Sequence, residues 1–492
     1  YIWRRNTMKL RELLKDVEVI SFNGDPDLEI NGIVYDSRKV KKGDLFICVS
    51  GYVQDGHNYI NDALSRGASA FIVEKDVEAA GAAVVKVKSS RAAMPALASG
   101  FYGNPTQELK LIGITGTSGK TTTTYLIKSI FEAAHKRVGL LGTISTQIGD
   151  KVYVSSKTTP ESVDLQSLFR EMADMHMDYA VMEVSSHSLE LGRVDGCKFS
   201  VGVFTNLSQD HLDFHKTMDS YREAKKKLFY KTRNANIINI DDMHGKLIAD
   251  ELREIKTPLL TFGIDNEADI TAKDINIHSK GVSFILTTPE YETELKIRIP
   301  GKFSVYNALA AAAVAYAAGI DRKAIKDGLY KVGCVPGRSE IIETDTPYTV
   351  MIDYAHKPDG LEKILTTIRQ YAKGRIITLF GCGGDRDKEK RPMMGRIAGE
   401  LSDYVIITSD NPRSEDPMEI IEQAEAGIKP TGCDYICIEN RRDAIKFALK
   451  MAKPDDIVLL AGKGHEPYQV LKDRTIPFDE RDIVEELLRE EL

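Results

Sequence analysis

The sequence predicts an α/β protein of three domains: a small N-terminal α/β domain, a central P-loop ATPase-like domain with a parallel sheet, and a C-terminal Rossmann-like α/β domain. At 492 residues the chain is longer than one ordinary hydrophobic core supports. Continuous apolar runs alternate with helical stretches, as in parallel sheets. A glycine-rich turn joins one such run to a helix, and the alternation starts again after the turn at Pro336-Gly337.

The predicted N-terminal domain covers residues 8–108. Short apolar runs at residues 33–35, 45–49 and 70–73 alternate with turns, as in a small α/β domain. Its polar loops are Asp36-Ser37-Arg38 and the stretch from Gly51 to Gly56. Each loop alone is explained by turn chemistry.

The predicted central domain, residues 109–335, begins with the most informative segment of the chain. An apolar run at 109–115 leads into Gly116-Thr117-Ser118-Gly119-Lys120-Thr121-Thr122, and a helix is predicted from 121 to 135. Glycines let backbone N–H groups approach phosphate oxygens, a lysine reaches the outer phosphates, and a threonine hydroxyl can bind Mg²⁺. The segment therefore predicts binding of a nucleoside triphosphate. The alternative is an ordinary turn with a solvated Lys120, because Ile114 stands where the common pattern has glycine.

Two polar clusters follow further predicted strands of this domain, at 179–184 and 201–205. They are Glu183-Val184-Ser185-Ser186-His187 and the stretch from Asn206 to Asp213. Glu183 and His211 are suitable Mg²⁺ ligands beside Thr121, although spacing alone also allows them to cap helices or complete turns. Lys225 lies in a run of lysines that, by spacing alone, predicts a solvated helix face. A long helix is predicted at 303–318, ended by Gly319.

The predicted C-terminal domain covers residues 336–492, with strands at 348–352, 375–380, 404–408 and 457–460. A polar cluster follows each strand: Asp353-Tyr354-Ala355-His356, the glycine-rich stretch from Gly381 to Asp387, Asp410-Asn411-Pro412-Arg413, and Ala461-Gly462-Lys463-Gly464-His465-Glu466. Ligands of such folds bind beyond the carboxyl ends of the strands, so the sequence predicts a binding face there.

The composition limits the binding partners and the cellular compartment that we expect for this protein. A net charge of −7 argues against a general nucleic-acid surface, and no apolar run is long enough to span a bilayer. The six scattered cysteines are typical of reduced thiols, so we expect a cytoplasmic protein that binds neither nucleic acid nor membrane. Residues 1–7 precede a plausible start at Met8, and we interpret them as an upstream translated or vector-derived extension.

Together the motifs resemble those of the Mur ligases, the ATP-dependent amide-forming enzymes of peptidoglycan synthesis. The resemblance covers nearly all of residues 8–492, and the loop with Ile114 is the normal form of that family. It implies a sugar-nucleotide-binding N-terminal domain, a central ATP-binding ligase domain and a C-terminal amino-acid-binding domain. The motifs that carry it begin at Gly116, Glu183, Asn206, Pro336 (Pro-Gly-Arg), Asp353 and Asp410.

The resemblance also implies roles for individual residues. ATP contacts are expected at the Gly116–Thr122 loop and at Asn307, Arg338, Asp353 and His356. The pocket for the UDP-N-acetylmuramoyl dipeptide is expected at Tyr35, Ser37, Tyr52, Val53, Gln54, Thr158, Thr159, Ser185, Leu191 and Arg193. The pocket for the incoming amino acid is expected at Arg391, Asp410, Asn411, Pro412, Arg413, Gly462 and Glu466. Leu191 departs from a glutamine found in some relatives, and Ser304 departs from a frequent asparagine.

The implied reaction has two steps. ATP phosphorylates the D-glutamate carboxylate, and the amine of the third amino acid then attacks the acyl phosphate. Lys120, Glu183, His211 and Lys225 are the expected catalytic residues. Lys225 is expected as a carbamate, N6-carboxylysine, that holds Mg²⁺ together with Thr121, Glu183 and His211. A monomer is expected.

Arg413 is the residue that best indicates which amino acid is the incoming substrate. A guanidinium can bind the additional carboxylate of meso-diaminopimelate and would repel the ammonium of L-lysine. The alternatives are the same ligation with L-lysine, an Arg413 that is only a surface residue at a helix entry, or a ligase resembling folylpolyglutamate synthase. A P-loop phosphotransferase or switch GTPase is a further rival, but it predicts no third domain and no amino-acid pocket. A non-catalytic nucleotide-binding module is another, but it would not need Lys120, Glu183, His211 and Lys225 together.

Overall fold

The computed structural model describes residues 7–51, 54–155, 157–278 and 281–490. The predicted extension at residues 1–7 lies outside this range except for Thr7. Internal contacts divide the chain into two compact units. The first extends to Thr271 and includes Leu309–Gly328, and the second holds Ala272–Ala308 and the residues from Leu329 onward.

A small sheet forms the start of the first unit, in the strand order β2-β7-β6-β5-β4. Strands β4 to β7 run parallel, and β2 joins them antiparallel. Alternate residues of neighbouring strands, Leu45 and Ile47 in β5 and Ala70 and Ile72 in β6, place one apolar face of this sheet in a buried core. The elements are β1 (Met8–Lys9), α1 (Leu10–Leu13), β2 (Val19–Asn23), β3 (Glu29–Ile30), β4 (Gly32–Val34), β5 (Asp44–Ile47), α2 (Ile60–Ser65), β6 (Ala70–Val73), β7 (Ala83–Val87) and α3 (Ser90–Phe101).

A larger sheet follows, in the order β11-β10-β9-β12-β8-β13-β14-β15-β16. Strand β8 lies between β12 and β13 and is parallel to both, so the polar ends of all three strands meet at one edge. The elements are β8 (Lys110–Thr115), α4 (Lys120–Ala133), β9 (Val138–Leu141), β10 (Ser145–Ile148), β11 (Lys151–Val154), α5 (Ser162–Asp174), β12 (Tyr179–Glu183), α6 (Ser186–Glu190), β13 (Phe199–Phe204), α7 (Leu212–His215), α8 (Met218–Lys226), β14 (Thr232–Asn239), α9 (Met243–Leu252), β15 (Leu259–Gly263) and β16 (Ile270–His278).

The second unit contains an antiparallel pair, β17 (Gly281–Thr287) and β18 (Glu292–Ile297). The helices α10 (Lys302–Ala317) and α11 (Arg322–Lys331) are divided between the two units.

The main sheet of the second unit has the order β19-β20-β24-β21-β22-β23, with β20 to β24 parallel and β19 antiparallel. Its elements are β19 (Glu340–Ile342), β20 (Thr349–Asp353), α12 (Pro358–Arg369), β21 (Ile376–Phe380), α13 (Lys390–Leu401), β22 (Tyr404–Ile407), α14 (Pro417–Ile428), β23 (Tyr435–Cys437), α15 (Arg441–Met451), β24 (Ile457–Ala461), β25 (Tyr468–Val470), β26 (Thr475–Pro477) and α16 (Glu480–Arg489).

The predicted fold class is confirmed, and the predicted strands and helices differ from the observed ones by one or two residues. Val184, Thr205 and Thr408 lie just beyond the strands predicted to include them, because the strands end where the polar motifs begin. Gly319 follows α10 with a φ of 71°, as expected of a helix stop. Among the helices in the described ranges, none is both long and apolar enough to cross a membrane.

Candidate active site

The glycine-rich loop lies at the carboxyl end of β8. Gly116 and Gly119 have φ angles of 148° and 84°, which favour glycine. A Cβ on Gly116 would lie 1.9 Å from the Thr205 hydroxyl, so this position has no room for a side chain. Lys120 and Thr121 open α4 immediately after the loop, which places the positive end of a helix beside it. The geometry is that of an anion-binding loop.

Ile114 lies within β8 and not in the turn. It pairs with Glu183 of β12 and with Val203 of β13, and it is fully buried. Because the turn begins only at Gly116, the absence of glycine at position 114 leaves the loop intact.

Two lysines converge on this loop. The Lys120 ammonium donates to the carbonyl oxygens of Gly116 and Thr117, each at 2.9 Å. Lys225 donates to the same Gly116 carbonyl at 2.7 Å. The loop carbonyls therefore hold both side chains at the edge of the sheet where β8 ends.

Lys225 does not lie on a solvated helix face, so the prediction from spacing alone is wrong. Its side chain is 1% exposed, and its ammonium nitrogen lies 4.5 Å from the centre of the Tyr221 ring. Burial, together with the charge of Lys120, holds the pKa of Lys225 well below its usual range. A lowered pKa increases the fraction of the neutral amine, which is the form that reacts with CO₂.

Glu183 ends β12 and is 1% exposed. Thr143 donates to it twice, from its backbone N–H at 2.8 Å and from its hydroxyl at 3.1 Å. The Thr143 hydroxyl also lies 3.1 Å from that of Thr158, so one side chain joins the buried carboxylate to a residue of the expected dipeptide pocket. Sequence analysis missed Thr143, because a single threonine after a glycine carries no distinctive pattern. In the structure, a Cβ on the preceding Gly142 would lie 2.6 Å from a Glu183 oxygen.

His211 lies at the entry to α7 with a φ of 53°, beside Asp210, whose carboxylate is 3.3 Å from Nε2. Its ring meets that of His187 edge-on at 4.8 Å. Nearby, His215 stacks on Tyr221 at 4.9 Å. His211 is thus held in a cluster of rings that includes the aromatic neighbour of Lys225.

The chemistry of the expected metal ligands is compatible with Mg²⁺. Within the described residues there is no group of three or more His, Cys, Asp or Glu side chains that could hold a metal ion. The expected set instead combines the hydroxyl of Thr121, the carboxylate of Glu183, the His211 imidazole and an anion formed on Lys225. Mg²⁺ prefers oxygen ligands and retains several waters, so a mostly oxygen donor set next to a phosphate loop fits it.

The residues expected to hold the dipeptide lie close to the backbone of Glu183. Thr159 donates to the Glu183 carbonyl at 2.9 Å and accepts from the Ser185 N–H at 3.1 Å. Arg193 donates to the Thr159 carbonyl at 3.3 Å and pairs with Glu161 at 2.9 Å. Leu191, at the end of α6, is half-buried. The structure therefore brings Thr158, Thr159, Ser185 and Arg193 together along one rim.

Only some residues of the expected sugar-nucleotide pocket lie within the described ranges. The Tyr35 hydroxyl donates to Asp164 of α5 at 2.5 Å, and Ser37 is buried. The carbonyl of Gln54 accepts from the Gly51 N–H at 2.9 Å. Tyr52 and Val53 lie outside the described residues.

In the second unit, the nucleotide contacts expected from the sequence surround the end of β20. Asp353 accepts from the Ser339 N–H at 2.7 Å, and the Arg338 guanidinium lies 4.9 Å from the Tyr354 ring centre. His356 Nδ1 lies 2.8 Å from the Tyr354 carbonyl. Asn307 is buried within α10. Ser304, the residue that departs from the family pattern, donates to the Pro300 carbonyl at 3.0 Å.

The expected amino-acid residues meet at the carboxyl ends of β21, β22 and β24. Asn411 donates to Glu466 at 3.0 Å, and a Cβ on Gly462 would lie 3.2 Å from Asp410. Arg413 has a φ of 54° and donates to the Gly384 carbonyl at 2.7 Å. The four polar clusters of this domain thus share one sheet edge, as predicted.

Arg391 is the most buried member of that set, at 1% exposed. It pairs with Glu415 through two hydrogen bonds of 2.9 Å and also donates to Gln423 at 2.8 Å. The pairing holds the pKa of Glu415 at about 2. Glu415 is a second residue that sequence analysis missed, because a single glutamate after Asp-Asn-Pro-Arg carries no distinctive pattern.

Comparison with known proteins agrees with this arrangement. Residues 29–102 match a model described as "Mur ligase family, catalytic domain", residues 114–315 match "Mur ligase middle domain", and residues 337–464 match "Mur ligase, glutamate ligase domain". The curated UDP-N-acetylmuramoyl-L-alanyl-D-glutamate–2,6-diaminopimelate ligase of Alkaliphilus oremlandii is 51% identical over 484 residues, which are 98% of this chain and 99% of that protein. This chain belongs to the Mur ligase family.

Two further relatives extend the match. The ligase of the same name from Clostridioides difficile is 49% identical over 481 residues, with 98% of this chain and 99% of that protein covered. A solved structure of a UDP-N-acetylmuramoyl-L-alanyl-D-glutamate–2,6-diaminopimelate ligase superimposes with a TM-score of 0.72 at 33% identity and covers 98% of this chain and 99% of that one. This Mur ligase therefore shares its three-domain α/β organisation with that solved structure over nearly the whole chain.

Proposed function

We propose that this Mur ligase uses ATP to add meso-diaminopimelate to UDP-N-acetylmuramoyl-L-alanyl-D-glutamate in peptidoglycan synthesis. The observation that carries the choice of amino acid is the placement of Arg413 beside Asn411 and close to Gly384. A guanidinium there suits the second carboxylate of diaminopimelate. The names of the relatives, which cover nearly the whole chain, support the same reaction.

The first step transfers the γ-phosphoryl group of ATP to the D-glutamate carboxylate. A carboxylate oxygen forms a bond to phosphorus while the bond to the ADP leaving oxygen breaks, which gives an acyl phosphate and ADP. The loop at Gly116 and the Lys120 ammonium bind the phosphates and stabilise the negative charge that moves to the leaving oxygen. Thr158, Thr159, Ser185 and Arg193 would hold the peptide end of the dipeptide substrate beside that loop.

The second step forms the amide. The amine of diaminopimelate attacks the acyl carbon, a tetrahedral intermediate forms, and phosphate leaves as the proton of the amine is lost. The pocket around Asp410, Asn411, Arg413 and Glu466 orients the amino acid, which contributes through positioning. Arg391 would support this pocket through Glu415, with Pro412 and Gly462 shaping its wall.

Mg²⁺, when bound, would neutralise phosphate charge at Thr121, Glu183 and His211. A carbamate on Lys225 would supply a further anionic ligand. The neutral amine favoured by burial of Lys225 supports this modification.

We also propose domain boundaries at 8–108, 109–335 and 336–492. Each range contains one of the principal sheets, and the three family matches fall within or close to these ranges. Tyr35, Ser37 and the loop with Gln54 would hold the uridine diphosphate, and Asn307, Arg338, Asp353 and His356 the adenine nucleotide. A cytoplasmic monomer is the proposed form, because one chain carries every residue assigned to the reaction and the net charge is −7.

The test is phosphate release from ATP by the full chain with each substrate omitted in turn. We expect release only when the muramoyl dipeptide and diaminopimelate are both present. Substitution of L-lysine for diaminopimelate should lower kcat/KM at least 100-fold. Equal turnover with L-lysine would refute the assigned specificity, and phosphate release without the dipeptide would refute the ligase reaction.

A further inference from the structure

Lys463 is a buried cation that the proposed reaction does not use. Its side chain is fully buried just after β24, between the rings of Tyr468 and Phe478, whose centres lie 6.0 Å and 5.9 Å from its nitrogen. A buried ammonium is unfavourable unless acceptors surround it. Its surroundings therefore indicate what it does.

Three polar side chains that contact the Lys463 nitrogen, among the residues that the structure describes, belong to the expected amino-acid pocket. Its nitrogen lies 3.3 Å from an Asp410 oxygen, 3.2 Å from the Asn411 side-chain oxygen and 3.9 Å from a Glu466 oxygen. Two of these partners are carboxylates, which would repel each other without a cation between them. Lys463 thus places one positive charge beside both Asp410 and Glu466.

Lys463 also determines which way the Asn411 amide faces. An ammonium has three donors and no acceptor, so the atom of Asn411 facing it must be the oxygen. The same oxygen accepts from the Val470 N–H at 2.9 Å, and the amide nitrogen is left to donate to Glu466 at 3.0 Å. Lys463 and the Val470 N–H therefore together fix the orientation of Asn411, which in turn donates to Glu466.

We propose that Lys463 is a positioning residue for the amino-acid substrate: it holds Asp410, Asn411 and Glu466 in the arrangement that receives the amine-and-carboxylate centre of diaminopimelate. It acts from beneath the pocket and touches no reacting atom. This inference rests on the proposed function, because it assigns that pocket to the amino acid.

The test measures KM for each of the three substrates in Lys463→Met, which keeps an unbranched side chain, one atom shorter, and removes its charge. We expect KM for diaminopimelate to rise at least tenfold, while KM for ATP and for the muramoyl dipeptide stays within twofold of wild type. Lys463→Gln, which keeps a neutral donor, should give a smaller rise in the same KM. If Lys463→Met does not fold, the same comparison of the three KM values in Lys463→Gln tests the proposal.

The matched control is Arg375→Met. Arg375 pairs with buried Asp456 at 2.7 Å at the amino ends of β21 and β24, the opposite edge of the same sheet. This variant should lower the thermal midpoint of unfolding. Its KM for diaminopimelate should not rise relative to its KM for ATP and for the muramoyl dipeptide. An unchanged KM in both Lys463 variants, or an equal rise in all three KM values, would overturn the proposal. A wild type that does not use diaminopimelate would instead refute the proposed function, so the two failures are distinct.

Discussion

At the scale of the residue, Lys225 separates what a local pattern can predict from what it cannot. Its neighbours Arg222, Lys226 and Lys227 are charged, so spacing alone predicts solvent exposure. The structure shows that α8 turns Tyr221 and Lys225, four residues apart, toward the loop at Gly116. Motif resemblance identified Lys225 as a candidate site residue, whereas its burial depends on the sheet against which the helix packs.

Lys225→Ala should lower kcat by at least 100-fold, because it removes the anion expected at the metal site. A short carboxylic acid such as acetate should restore part of the lost rate, since it can occupy the vacated space with the same charge. Phosphate release measured with and without acetate provides the check. Lys227→Ala, at a half-exposed lysine two residues along, is the matched control and should keep wild-type kcat. Full activity of Lys225→Ala without acetate would contradict the role.

Thr143→Val should lower kcat about tenfold or more and weaken the response to Mg²⁺. The change removes the hydroxyl that bonds Glu183 and contacts Thr158 but preserves the shape of the side chain. Loss of a group that orients a metal ligand typically reduces metal affinity or activity about 10- to 100-fold. The measurement is a Mg²⁺ titration of the rate. Thr143→Ser, which retains the hydroxyl, should behave as wild type; a valine variant with the wild-type titration curve would refute the assignment.

At the scale of the element, the buried parallel strands could be predicted from the sequence more easily than the short strands of a hairpin. Strands β8, β12, β13, β20, β21, β22 and β24 are buried on both faces, so each is a continuous apolar run. The hairpin of β10 and β11 gave no such signal, because β11 is exposed along its length and the two strands are short. The polar clusters were predicted for the same reason as the strands, since each follows directly where an apolar run ends.

Arg391 of α13 pairs with Glu415, which lies just before α14, and donates to Gln423 within α14. Because the pKa of Glu415 is about 2 in the folded protein and about 4.3 in an unfolded chain, the pair contributes its full stability above about pH 4.3. That contribution is lost as the pH falls through about 2. Glu415→Gln should therefore lower the thermal midpoint at pH 7, and its difference from wild type should shrink as the pH is lowered from about 5.

The control for this prediction is Glu400→Gln. Glu400 pairs with Arg396 on the exposed face of α13, where such a pair contributes at most about 1 kcal/mol. Its thermal midpoint should stay near that of wild type across the same pH range. A Glu415→Gln variant whose deficit stays constant with pH would show that the carboxylate charge is not what stabilises the two helices.

At the scale of the whole molecule, the α/β class and the family were predictable, and the compact units were not. Turns such as Pro336-Gly337 mark a change of pattern along the chain. The second unit nevertheless takes Ala272–Ala308 from before that turn, and the first takes Leu309–Gly328. Which segments join one core depends on contacts between residues distant in sequence, so a boundary drawn along the chain cannot show it.

The left-handed backbone of Arg413 has a consequence for the stability of the whole fold. Any side chain at this φ carries strain of roughly 1–2 kcal/mol that glycine avoids. Arg413→Ala and Arg413→Gly lose the same guanidinium, so both should lose turnover with diaminopimelate equally. They should differ in thermal unfolding, however, with the glycine variant the more stable by about 1 kcal/mol.

A higher midpoint for Arg413→Ala would contradict this expectation. If it holds, the residue proposed to recognise the amino acid occupies a position that stability alone would give to glycine. Selection for thermal robustness without selection for activity should therefore remove this arginine early, and substrate choice would be lost before the fold.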